Sequence, residues 1–377
     1  MAFTNKFNFV GDLVIPKENA KTAFVVKSTT KSKAESWRLN VGIKTGDHNM
    51  AFCELFDFER DEFKFKMNDE EVVVAWDDRL DPDNVAKAPY SRVISINLGE
   101  VLDEAGNPIK NEDGEEIGGR KQFLSGVDAI QFFKNNVEYV KNKKFSIGGQ
   151  VQFQPYKDKI FTKYQINRIN VVPDDVKVGL FLDLDLFYSK DSLDTSDWKK
   201  EQIYGLDAYV NQYINKDEGN KYIPQRVVFN CSKADMENEK VAKRVEFYKG
   251  LIEVSGKKVV HMPWQCKLIS GSEEVEVTID MLTKKQKEAI ELGIKTLEDF
   301  QKKTFGDRIV EIRLVTPMLE LSEFEDGYVE LDESIAEFED LIYIPTVDEK
   351  LEDVVNEEKK STKEDKEETV SDDDLFG

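Results

Sequence analysis

Residues Ser125–Val172 read SGVDAIQFFKNNVEYVKNKKFSIGGQVQFQPYKDKIFTKYQINRINVV, and this stretch decides the fold. Val127, Ile130, Phe133, Val137 and Val140 recur at helical spacing and lay an apolar stripe along one face. Ser125 opens the helix, with Asp128 three residues on where a capping-box acid belongs. The period then drops to two. In Lys144–Gln154, Phe145, Ile147, Val151 and Phe153 point one way, and Ser146, Gly148, Gln150, Gln152 and Gln154 the other. Ile160–Val171 follows as the next strand.

The residues before this stretch read as strands. Lys6–Ile15 (KFNFVGDLVI) is interrupted at Gly11, a residue type that marks bulges. Trp37–Lys44 alternates, with Trp37, Leu39, Val41 and Ile43 on the core side. Asn49–Phe58 follows a Gly-Asp turn and completes a hairpin. Val72–Trp76 and Arg92–Leu98 are shorter runs, and residues 99–121 are an acidic, turn-rich flap. Strands, one helix, then two strands match a five-stranded Greek-key barrel of the OB type over residues 1–172.

Val172–Asp175 reads as a linker to a second β-rich, OB-like α+β domain over 176–319. Its strands are Val178–Tyr188, Gln202–Ile214, Gln225–Cys231, Val259–Leu268, Glu274–Ile279 and Arg308–Val315. Val241–Val254 and Lys284–Lys303, the latter interrupted at Gly293, read as helical. Residues 320–345 form an acidic connector. Residues 346–377 are too polar to offset their ordering entropy and are expected to be a disordered acidic tail. The fold class is mainly β.

The formal charge of −22 argues against a polyanionic partner until it is located. Residues 320–377 carry −18 of it, which leaves −4 for 1–319. Two windows of that body are basic. Residues 17–44 carry Lys17, Lys21, Lys27, Lys31, Lys33, Arg38 and Lys44 against two acids, and 141–168 carry Lys141, Lys143, Lys144, Lys157, Lys159, Lys163 and Arg168 against one. In an OB barrel the ligand face is built from the first strands with their connection and from the loop between the last two, which is where the windows fall.

Binding a single strand needs cations along the phosphates and rings for the bases to stack on. Parity in Asn49–Phe58 sends Ala51, Cys53 and Leu55 inward and Phe52, Glu54, Phe56 and Phe58 outward. The candidate binding residues are Lys27, Lys31, Lys33, Arg38 and Lys44; Phe52, Phe56 and Phe58; and Lys143, Lys144, Gln150, Gln152, Tyr156, Lys157, Lys159, Lys163, Tyr164 and Arg168. Phe161 and Tyr164 fall on opposite faces, and Tyr164 is taken as the stacking ring.

Other chemistries find little footing. Cys53, Cys231 and Cys266 form no CxxC pair, and His48 and His261 are the only histidines. No phosphate-binding glycine loop, nucleophile elbow or other cofactor motif is present. Asp183 and Asp185 (LDLDL) could hold a metal, and a nuclease reading would rest on them. The loop at Asn215–Asn220 lacks the terminal bidentate Glu of a calcium site. Met1–Gly11 has no long apolar run and no segment approaches ~20 apolar residues, so a cytoplasmic protein with no membrane partner is expected.

The chain ends Ser371-Asp372-Asp373-Asp374-Leu375-Phe376-Gly377, an acidic run closed by two large apolar residues. This tip resembles the tails of bacterial and phage single-stranded DNA-binding proteins, and Phe7–Ile15 (FNFVGDLVI) is similar to their first strand. The resemblance implies a non-enzymatic protein, without cofactor, that coats single-stranded DNA during replication, recombination or repair. Asp372, Asp373, Asp374, Leu375 and Phe376 would dock replication or recombination proteins. The length fits a phage-type variant acting in the host cytoplasm. Gly377 after the ring, and no Pro before it, depart from the pattern. The rival reading is an acidic adaptor without nucleic-acid affinity, in which the two basic windows would lie on different faces and Phe52 and Phe56 would be buried.

Overall fold

The computed structural model describes residues 5–17, 23–29, 33–46, 49–67, 70–112, 114–156, 159–216, 218–254, 259–274, 279, 282–301, 305–319 and 341–343. The first unit contains β1 (Lys6–Val14), β2 (Val25–Thr29), β3 (Glu35–Lys44), β4 (Met50–Phe58), β5 (Glu62–Met67), β6 (Glu70–Ala75), α1 (Pro82–Lys87), β7 (Ile94–Asn97), β8 (Arg120–Phe123), α2 (Gly126–Asn136), β9 (Lys144–Tyr156) and β10 (Lys159–Val172). The second contains β11 (Gly179–Tyr188), β12 (Leu193–Asp194), α3 (Trp198–Glu201), β13 (Ile203–Asn215), β14 (Gly219–Asn230), α4 (Glu239–Ile252), β15 (Val260–Glu274), α5 (Lys284–Glu291), α6 (Leu297–Gln301) and β16 (Phe305–Pro317).

Five strands of the first unit close on themselves. β1 pairs β3, β3 pairs β4, β4 runs parallel to β10, β10 pairs β9, and β9 returns to β1. With α2 between the third and fourth barrel strands, this is the order of an OB barrel, as the sequence pattern anticipates. The second unit repeats it. β11 pairs β13, β13 pairs β14, β14 runs parallel to β16, and β16 pairs β15, which returns to β11. Here α4 takes the place of α2.

The barrels are joined strand to strand. β1 and β11 pair antiparallel from Lys6 with Asp183 to Val10 with Gly179, and one apolar core runs through both barrels. The expected linker closes as a turn from Pro173 to Val176. Asn49 bridges to Gly271, and its side chain accepts from the Ser270 amide at 2.7 Å.

All five residues of the predicted helical stripe are buried. Helix α2 itself stops at Asn136, and a 3-10 turn carries the stripe on. The Ser125 hydroxyl caps the helix by accepting from the Val127 amide, but Asp128 closes no capping box. It takes a two-pronged ion pair from Arg79 at 2.7 and 3.0 Å instead. The 99–121 flap is pinned by Val101 and Ile117, both in the core. In the second unit β15 runs on to Glu274, so of the run read as a strand at 274–279 only the first residue is in it; residues 275–278 lie outside the described residues, and Ile279 is not in a strand.

Two glycines make the first barrel close. A Cβ on Gly11 would sit 2.2 Å from the Lys44 carbonyl oxygen, where β1 leaves β9 for β3. A Cβ on Gly149 would sit 1.9 Å from the Gln165 oxygen, beside the register shift between Ile166 and Arg168. Gly149→Ala is therefore expected to cost stability on the order of 3 kcal/mol. A denaturant melt that matches the parent would contradict this.

Candidate nucleic-acid interface

Strand parity and one bulge build the face. On β4, Ala51, Cys53 and Leu55 are buried, while Phe52, Phe56 and Phe58 are 51%, 36% and 39% exposed. Burial pushes the Cys53 thiol well above its usual range, consistent with a packing residue. Beside β4 runs β10, with Gln165 level with Glu54. Phe161, Lys163 and Gln165 share the outward side, each opposite Gln154, Gln152 or Gln150 of β9. The amides are linked: Gln154 donates to Gln152 at 3.3 Å, and Gln152 donates to Gln165 at 2.6 Å. Because the register shifts after Ile166, Arg168 returns to this side opposite Gly148, whose bare backbone leaves room for the guanidinium.

Cations and rings interleave. The Arg38 guanidinium lies 5.2 Å from the Phe56 ring centre, within cation–π range, and 3.6 Å from Glu54. Lys163 reaches the same carboxylate at 3.9 Å. Glu54 thus sits between two cations at the middle of the row. Arg60, one more step along the alternation, stacks over Phe58 at 4.7 Å and Phe63 at 5.0 Å and pairs with Asp57.

A groove opens at each end of the row. One, of about 260 Å³, runs under the β5–β6 hairpin between Phe56, Arg60, Phe63 and Asn167. The other, of about 670 Å³, lies between the barrels and is lined by Phe52, Phe161 and Lys44 from the first and by Gln225, Arg226 and Val310 from the second.

Several expected residues stand elsewhere. Tyr164 is not a free stacking ring: it points inward and meets Phe9 at 4.8 Å and Phe7 at 5.5 Å, edge to face. Desolvation there drives its hydroxyl above the ordinary tyrosine range. The exposed ring is Phe161, at 48%. Lys27 lies opposite Trp37 in the β2–β3 register, on the other side of the sheet from Arg38, and pairs with Glu35 at 2.6 Å. Lys143 donates to the Glu100 carbonyl, and Lys144 to those of Asp174 and Val176. Lys144, where β9 begins, is about 20 Å along that strand from Gln150, and Lys143 precedes it. Lys33 is exposed in the turn before β3, at a positive φ of 68°. Lys31 and Lys157, the side chains of Tyr156 and Lys159, and the tip at 372–376 lie outside the described residues.

Tyr164→Ala is accordingly expected to lower stability by about 3 kcal/mol through the cavity it leaves. Phe161→Ala is expected to leave the melt unchanged. Parallel denaturant melts check the pair, and the opposite pattern would reverse the assignment.

Among the described residues, β14 of the second barrel carries no such row. Between Pro224 and Asn230 the outward positions of β14 are Pro224, Arg226, Val228 and Asn230. Arg226 is held by Asp194 at 2.7 Å and Asp207 at 2.9 Å, and its guanidinium helps to lower the Asp194 carboxyl to about 2. The two aspartates of the nuclease reading lie on β11 of the second barrel. Asp185 bonds the His261 ring at 2.9 Å and Asp183 is half-buried, its carboxyl raised by desolvation. Among the described residues, no cluster of three or more His, Cys, Asp or Glu could hold a metal.

No protein-family model matches the chain, and no curated sequence matches it either. Among the solved structures similar to it are two of the single-stranded DNA-binding protein from Thermus aquaticus. A deletion mutant of that protein shares 12% identity over 72% of this chain and 89% of that one, with a TM-score of 0.28. The wild-type protein shares 8% identity over 72% and 87%, with a TM-score of 0.29. The OB assignment rests on the strand order of the two barrels.

Proposed function

We propose that this chain binds single-stranded DNA along the outward face of β4, β9 and β10. The observation that carries the reading is the placement of four exposed rings, Phe52, Phe56, Phe58 and Phe161, among Arg38, Lys163 and Arg168 and a ladder of glutamine amides. Bases stack on the rings, phosphates follow the cations, and the amides meet bases and sugars with little sequence preference. These groups hold a polyanion and do not cut it. Of the two expectations of the adaptor reading, buried Phe52 and Phe56 fail, since both are exposed, while basic residues on different faces hold for Lys27, which lies on the other side of the sheet from Arg38.

The biological setting is coating of single strands in replication, recombination or repair, as in the phage-type proteins whose tail this chain resembles. The acidic tail, through Asp372–Phe376, recruits the other proteins of that process and competes with DNA for the basic face. In this reading the two barrels are separate domains in function, with the first carrying the strand.

Photocrosslinking with an iodouracil-containing oligonucleotide tests the assignment. Adducts are expected on Phe52, Phe56 or Phe161. Adducts confined to the second barrel would overturn it.

A further inference from the structure

The outward side of the second barrel holds an apolar site of a different kind. Phe187 of β11 lies opposite Tyr209 of β13 and opposite His261 of β15, so the three share one side of the sheet. Tyr222 of β14, two steps from Pro224, joins them. The Phe187 ring stacks on His261 at 4.6 Å and meets Tyr222 edge-on at 4.9 Å. An outward-facing phenylalanine should be wet. Phe187 is 0% exposed and Tyr222 is 5% exposed.

What covers them is a distant piece of the same chain. Leu341 and Ile342 pack on the Phe187–Tyr222 pair. Ile342 forms a parallel bridge with Tyr222, and the Tyr343 amide donates to the Tyr222 carbonyl at 2.9 Å. One edge of β14 is taken by β13 along its length, and β16 meets the other edge at Val228. At Tyr222 that second edge takes Ile342. Main-chain pairing with a strand edge, plus side chains seated in an adjoining apolar groove, is how sheets bind extended peptides.

The sequence of the segment suits this role. Leu341-Ile342-Tyr343-Ile344-Pro345 is an apolar island, with ten acids and no base in 320–340 before it and a net −8 in 346–377 after it. Flanking charge keeps such a strand soluble when undocked, and docking hides both the sheet edge and the rings, which would otherwise invite association.

We propose that Phe187, Tyr209, Tyr222 and the β14 edge form a peptide-docking site whose ligand is Leu341–Tyr343 of the same chain. The occupied site fixes the point on the second barrel from which the acidic tail departs. It does not depend on the DNA-binding reading. A connector running from Leu319 to Leu341 holds its ligand at an effective concentration on the order of millimolar, so the tethered segment outcompetes free peptide.

The test uses the full chain, unmodified and with Ile342→Asp or Tyr343→Pro. The first change puts a charge against the groove, and the second deletes the donor to Tyr222. Neither position lies within a barrel strand, and near-UV circular dichroism checks that both barrels stay folded. A labelled peptide of residues 336–345 should bind each variant at least about tenfold more tightly than the unmodified chain. Hydrogen exchange at the Tyr343 amide should be slow in the unmodified chain, independent of protein concentration, and fast in Ile342→Asp. Equal binding by all three chains, no binding by any, or unchanged Tyr343 exchange would overturn the proposal. So would protection that grows with protein concentration, which would place the segment on a second copy.

Discussion

Changing Phe52 and Phe56 together to alanine is expected to weaken single-strand binding by about 2–6 kcal/mol, roughly thirtyfold to more than ten-thousandfold, at about 1–3 kcal/mol per stacked base. The effect is large because the rings do nothing for the core. Their β4 neighbours Ala51, Cys53 and Leu55 supply the packing, while both phenylalanines face out. The melting curve should therefore stay within about 0.5 kcal/mol of the parent. Part of the loss at Phe56 would come from Arg38, whose guanidinium rests on that ring. Titration of a labelled oligonucleotide beside a denaturant melt separates the two quantities. A folded double variant that binds within threefold of the parent would remove stacking on β4 from the account.

The second large effect is on salt. Each phosphate neutralised on a single strand contributes about −0.7 to the slope of log affinity against log salt. Arg38, Lys44, Lys163 and Arg168 line the described face or its grooves, and the lysines of the 157–159 loop follow Tyr156 in the sequence. With ~4–6 contacts, affinity should fall roughly several-hundredfold to ten-thousandfold per tenfold rise in salt. The tail should act in the opposite sense. A chain ending at Pro345 loses a tethered net charge of −8 and should bind more tightly at low salt, with the difference vanishing at high salt. A flat salt profile would mean that phosphates are not the main contact.

Most of the first barrel is legible because its strands alternate cleanly and its helix keeps a 3.6-residue period. The parity of Asn49–Phe58 places all three phenylalanines of β4. Legibility fails where the rule is locally broken. Parity puts Phe161 and Tyr164 on opposite faces without saying which is outside. The polar residues Lys163 and Gln165, two and four steps from Phe161, mark its side as the wet one. Arg168 reaches that side only through the register shift after Ile166, which no composition signal announces. Arg60 is the next alternate residue after Phe58, so extending the same count by one step finds it.

Charge alone was the weaker guide. Lys27, Lys143 and Lys144 count toward basic windows, yet one pairs with Glu35 across the sheet and the others hold backbone carbonyls. A window sum cannot separate a lysine that answers a local acceptor from one that answers a ligand. Neither barrel's closure is legible, since each depends on one parallel pairing, β4 with β10 and β14 with β16, that local pattern does not encode. By sequence alone Leu341–Tyr343 falls within the acidic connector of 320–345. Only its contact with Tyr222 shows it as a ligand rather than a spacer.

The proposed function requires that the first barrel prefer single strands over duplex. Fluorescence anisotropy of a labelled ~30-mer, offered single-stranded and as a duplex to the full-length protein at low salt, tests it directly. Tight binding of the single strand, with much weaker binding of the duplex whose bases are already stacked, is the predicted result. Equal affinity for the two forms, or no binding of either, would contradict it.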